Sequence, residues 1–176
     1  KLDGSAKYGI DASAPGMVYA AVLSAPVFGG SVKAVDATGL KGLPGILRVV
    51  RLNDAVAVVA DKYWRAKKGL DALKIEWDPG VHGGVQQADL EKGLRDALDA
   101  PMFSVEKKGE PDAAFAAPGA KLVEAVYEAP FLGHAPMEPL NCTVQLAPDR
   151  VDVWISTQAP MAVLQTAAKE AGVAPE

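Results

Sequence analysis

The chain has 176 residues, 49% of them hydrophobic and 23% charged, with a formal net charge of −4. That is the makeup of a globular protein of one ordinary domain or two small ones, able to bury roughly 70% of its unfolded surface without disulfides or metals. The acidic balance argues against a nucleic-acid partner, and no run approaches the ~18 apolar residues of a membrane span.

In chain order, Lys1 to Pro15 is turn-rich. Met17 to Leu23 (MVYAAVL) has the length and β-branching of a strand. Val32 to Val35 alternates and gives a second strand. Asp36 can cap a short helical turn through Leu40. Ile46 to Leu52 and Ala55 to Ala60 (AVAVVA) form a hairpin across Asn53-Asp54. The uninterrupted apolar run of the latter predicts a strand covered on both faces.

Asp61 is placed to cap a helix from Lys62 to Leu73, with Tyr63, Ala66, Leu70 and Leu73 on its inner face. Lys74 to Trp77 is a fifth strand. A second amphipathic helix, Asp89 to Leu98, directs Leu90, Leu94, Ala97 and Leu98 inward and stops at Pro101. Phe103 to Lys107 reads as a short strand. Residues 108–120 read as a linker, with one helical turn at Asp112 to Ala116.

Beyond the linker, Lys121 to Tyr127 (KLVEAVY) alternates like a strand. Asn141 to Leu146 and Val151 to Ile155 form another hairpin. A last helix follows Ser156-Thr157, with Pro160 in its first turn and Gly172 just past its end. Its apolar face is Val163, Leu164, Ala167, Ala168 and Ala171. Both ends of the chain read as cuts. It starts at Lys1 without a methionine, and it stops just after a helix.

Polar chemistry concentrates between Tyr127 and Leu146. His82 reads as a solvated loop histidine, since its glycines do not feed a helix and no lysine follows. Two histidines 52 positions apart and one cysteine match no compact metal-ligand spacing. Cys142 shares a strand face with Val144 and Leu146 and reads as a buried structural thiol, not a nucleophile. It leaves the redox compartment, and so the localisation, open. The Asn141-Cys142-Thr143 glycosylation triplet falls in a strand and reads as chance. Glu138 lies between Met137 and Pro139. Either it binds nearby backbone amides and fixes a turn, or it orients His134 or lines a cofactor pocket.

Gly133-His134-Ala135-Pro136-Met137-Glu138-Pro139, followed by Val153-Trp154-Ile155-Ser156-Thr157-Gln158, resembles the molybdenum hydroxylases, the xanthine dehydrogenase and aldehyde oxidase large subunits. Tyr8-Gly9-Ile10-Asp11, Pro15 to Ala20 and Leu43-Pro44-Gly45-Ile46 look like that family's α/β hammerhead domain. Ala57 to Asp61, Trp64 and Trp77-Asp78 look closest to the isoquinoline 1-oxidoreductase β-subunit branch.

The resemblance implies an α+β fold. Residues 1–107 would be the aldehyde oxidase/xanthine dehydrogenase a/b hammerhead domain, and residues 121–176 the truncated start of the molybdopterin-binding domain. It implies a molybdopterin cofactor, hydroxylation of a carbon with oxygen from water, and an iron–sulfur small subunit as electron acceptor. Gly133, His134, Met137, Glu138 and Gln158 are expected near the cofactor pocket, none as a catalyst. The xanthine-oxidising branch places a glutamine two positions before the motif's histidine. Leu132 stands there, which weakens any pointer to purines. The chain is expected to be a fragment, inactive alone and prone to self-association through uncovered apolar surface. The rival expectation is a non-catalytic module that docks an electron-transfer subunit.

Overall fold

The computed structural model describes residues 3–100, 103, 105, 106 and 108–175. Its regular elements run β1 (Tyr19–Ser24), β2 (Ser31–Asp36), β3 (Ile46–Arg51), β4 (Ala55–Ala60), α1 (Tyr63–Ala72), β5 (Lys74–Asp78), α2 (Gln87–Asp96), α3 (Pro111–Phe115), β6 (Cys142–Leu146), β7 (Val151–Ile155) and α4 (Pro160–Ala171).

β4 is the centre of the first half. It pairs antiparallel with both β1 and β3 in the order β1-β4-β3. Five of its six residues are buried, and Val56 and Val58 are fully so. Burying a valine side chain is worth about 1.5–3 kcal/mol, which is why this strand carries no polar residue. The β3–β4 hairpin forms as the Asn53-Asp54 pair predicts. β2 and β5 make a separate antiparallel pair. The Arg51 guanidinium ties that pair to β3 by donating to the Val32 carbonyl at 2.5 Å and the Lys33 carbonyl at 3.2 Å.

α1 lies against β1 and β4. Ala66, Leu70 and Leu73 are buried as the periodicity predicts, in one cluster with Val56, Val58 and Ala60. Two details differ. Tyr63 is 54% exposed, and Gly69 takes the inner position where the helix comes nearest the sheet. Asp61 does not cap the helix. Lys62 occupies the N-cap, and the Asp61 carboxylate pairs with the Arg65 guanidinium one turn on, at 2.5 Å. Asp36 does hold its turn, accepting the Thr38 N–H at 2.9 Å.

The second half departs more from expectation. α2 forms, but Leu90, Leu94 and Leu98 are all substantially exposed. Its apolar face is left largely open, with Leu94 and Leu98 more than half exposed. Residues 121–127 form no strand and are exposed throughout. An alternating segment becomes a strand only with a neighbour to bond to, and the described residues supply none. The Pro101 stop and part of the expected strand at 103–107 lie outside the described residues. Of the rest of that strand, Phe103, Val105 and Glu106 are not extended into a ladder.

The last hairpin and helix form as read. β6 and β7 pair antiparallel from Cys142↔Ile155 to Leu146↔Val151. Pro160 sits in the first turn of α4, and Gly172 ends it in the left-handed region at φ 71°. Among the described residues, no helix is long and apolar enough to cross a membrane.

Candidate functional site

The stretch Gly133 to Pro139 is exposed apart from the half-buried Glu138, lacks regular structure, and leads into β6. Its backbone is constrained all the same. Ala135 has φ 41°, the one non-glycine residue in the positive region among those described. An alanine there costs about 1–3 kcal/mol and stays only where its surroundings hold it.

Three residues on, Glu138 is tied into the fold. Its Oε1 accepts the Ile10 N–H at 3.3 Å and the Asn141 Nδ2 at 3.1 Å. Its Oε2 accepts the Ser156 hydroxyl at 2.5 Å. These hydrogen bonds, from Ser156 first and Asn141 next, hold the carboxyl below the usual glutamate range. Asn141 also donates to the Pro139 carbonyl at 2.7 Å. With its amide so engaged and half-buried, the side chain suits a structural role better than sugar attachment. The Asn141 Oδ1 is buried without a donor. It faces Gly9, where a Cβ would lie only 2.8 Å away.

The five residues expected near a cofactor therefore divide. Gly133, His134, Met137 and Gln158 stand exposed. Among the described residues, the His134 and Gln158 side chains make no hydrogen bond. Glu138 alone is committed, to partners within the chain. Asn141, Ser156, Gly9 and Ile10 are the site residues that local reading misses. Tyr8-Gly9-Ile10-Asp11 stood out as a motif, but nothing in its spacing links it to Glu138.

Set against a pterin, this arrangement offers one open wall and no enclosure. Glu138, the one carboxylate of the five, already accepts from Ile10, Asn141 and Ser156. By themselves these residues do not build a cofactor cradle, and no chemical step is assigned to them.

An apolar groove of about 740 Å³ lies elsewhere, between the β6–β7 hairpin and α4, and includes Cys142, Val144, Val153, Val163 and Ala167 in its lining. Cys142 is exposed there, not buried as the strand alternation suggests. The alternation identifies its face correctly, but that face of β6 stays open to the groove, with Val144 and Leu146 more than half exposed beside it. A maleimide is thus expected to label Cys142 to completion in the native chain, with no further labelling on adding urea. Labelling that requires urea would place the thiol in a core.

Comparisons with known proteins bear on what this wall belongs to. Residues 96–176 match the model of the molybdopterin cofactor-binding domain. The isoquinoline 1-oxidoreductase subunit beta of Brevundimonas diminuta is 31% identical over 185 residues, covering all of this chain and 24% of its own length. A Gluconacetobacter polyoxogenes protein named membrane-bound aldehyde dehydrogenase (pyrroloquinoline-quinone) is 34% identical over 107 residues, 56% of this chain and 14% of its own. The chain thus spans a quarter or less of the curated relatives it matches. The crystal structure of a Cu,Mo-CO dehydrogenase in its carbon monoxide reduced state aligns over 99% of this chain and 28% of its own, with a TM-score of 0.56 at 16% identity. At that identity the likeness speaks for the mixed helix-and-strand fold alone. The family model and the isoquinoline 1-oxidoreductase match, which runs along all of this chain, place the chain in the molybdenum hydroxylase family, with residues 96–176 matching the molybdopterin cofactor-binding domain.

Proposed function

We propose that the chain is part of an oxidoreductase subunit that hydroxylates an aldehyde or an N-heterocycle with oxygen from water. The observation that carries this reading is the molybdopterin cofactor-binding match over residues 96–176. Relatives named for an isoquinoline and for an aldehyde supply the substrate classes. Hydroxylation by water releases an electron pair and two protons, so the reaction needs an acceptor, and an iron–sulfur subunit is the partner that fits. Residues 1–107 are read as the hammerhead domain and residues 121–176 as the start of the cofactor domain, separated by the linker at 108–120. Gly133, His134, Met137 and Gln158 form one wall of the cofactor pocket, with Glu138 behind them. The opposite wall comes from other parts of the subunit, which makes this chain inactive alone. The uncovered α2 face and the groove beside α4 support self-association of the isolated chain.

The name of the Gluconacetobacter protein favours a second reading, in which pyrroloquinoline quinone is the cofactor. The test is to purify the enzyme containing this chain, analyse its metal and cofactor, and run turnover in ¹⁸O-labelled water. Molybdenum in the protein and ¹⁸O in a hydroxylated heterocycle or a carboxylic acid are expected. Quinone without molybdenum would overturn the proposal. Separately, tight capture of an iron–sulfur subunit by this chain alone would favour the docking-module reading.

A further inference from the structure

Glu138 sits in the Gly133–Pro139 stretch, but its partners do not. They come from three places: the N-terminal turn (Ile10), the entry to β6 (Asn141) and the residue after β7 (Ser156). Ile10 is 128 residues away in sequence. The turn Gly9–Asp11 rests on β6 and β7, and Gly9 allows it. A Cβ there would meet Asn141 Oδ1 at 2.8 Å and Glu138 Oε1 at 3.5 Å. A carboxylate accepts about four donors, and this one draws its donors from its own chain. Little capacity is left for a cofactor.

We propose that Glu138 is a positioning residue, a latch that fastens the Tyr8–Asp11 turn onto the β6–β7 hairpin and thereby fixes the course of the exposed run Gly133–Met137. The strained Ala135 lies within that run and needs such an anchor. This inference is independent of which cofactor the subunit carries.

The latch depends on the ionised carboxylate. No charged side chain contributes to holding it in that form; its stabilising partners are the Ser156 hydroxyl, the Asn141 amide and the backbone N–H groups of Ile10 and Gly9. The turn's own acid, Asp11, accepts the Tyr8 N–H at 3.0 Å. The hairpin's ion pair, Arg150–Asp152 at 3.1 Å, lies by the β6–β7 turn. Because the folded carboxyl titrates below the usual range, its contribution is complete above that range. It is lost as pH falls through the lowered folded value.

The direct test is ¹H–¹⁵N NMR on the 176-residue chain. The Ile10 amide resonance is expected to titrate with a midpoint below the usual glutamate range. Ser156→Ala should move that midpoint upward, and Glu138→Gln should abolish it. In Glu138→Ala, hydrogen exchange at Ile10 should speed up roughly tenfold, as for loss of a hydrogen bond to a charged acceptor. An Ile10 resonance that stays flat while other carboxylates titrate would overturn the latch. So would exchange at Ile10 unchanged by Glu138→Ala.

Discussion

Replacing Leu70 by Ala is expected to destabilise the chain by about 2–5 kcal/mol, whereas Leu94→Ala changes stability by less than about 0.5 kcal/mol. The two leucines occupy equivalent places in the sequence pattern. Each lies on the apolar stripe of an amphipathic helix, α1 and α2 respectively. Leu70 is 6% exposed and belongs to the cluster of Val56, Val58 and Ala66. Its truncation removes transfer energy and leaves a cavity lined by stiff β-branched neighbours. Leu94 is 59% exposed, so its truncation removes little that water did not already touch. Urea unfolding followed by far-ultraviolet circular dichroism measures both, with the slope unchanged between variants. Equal losses at the two positions would mean that α2 is seated in a core as firmly as α1.

That contrast marks how far the sequence can be read. AVAVVA predicts a strand covered on both faces, and β4 is one. The stripe of α1 predicts Ala66, Leu70 and Leu73 as core, and they are. These succeed because β3 and α1, which cover β4, flank it directly in the chain, and β1 completes the sheet on its other edge. The pattern of KLVEAVY is as regular, yet 121–127 form no ladder. Cys142, Val144 and Leu146 alternate correctly, yet their face is open. Periodicity records that a face is apolar. It does not record whether anything covers it: the stripe of α4 is half-buried to buried, whereas 121–127 and the Cys142 face of β6 are left open.

The site shows the same limit in polar form. Glu138 is legible as a carboxylate needing partners, because it lies between Met137 and Pro139. That one partner is the amide of Ile10 follows only from the fold, since hydrogen bonds across 128 residues leave no local spacing.

A substitution inside α1 pits two effects against each other. Gly69 stands in the interior of a ten-residue helix, where alanine is better than glycine by about 0.8–1 kcal/mol in propensity. On that ground alone Gly69→Ala would stabilise. Packing opposes it. A Cβ at this position would lie 2.8 Å from both Ile46 Cδ1 and Val58 Cγ1. The Ile46 methyl ends a flexible side chain and can swing away. Val58 is 0% exposed, β-branched, and held in the central strand, so its methyl has nowhere to go without moving the sheet. Overpacking of a tight core costs about 1–3 kcal/mol, which exceeds the propensity gain. Gly69→Ala is therefore expected to lower stability by about 1 kcal/mol, and Gly69→Leu by more than about 3 kcal/mol, since a branched side chain would have to part α1 from β4. Pairing Gly69→Ala with Val58→Ala should remove most of the clash, so that the double variant is more stable than the sum of the single losses predicts. Chemical denaturation of the four proteins in that cycle decides the matter: additive losses would mean that α1 does not approach β4 at Gly69.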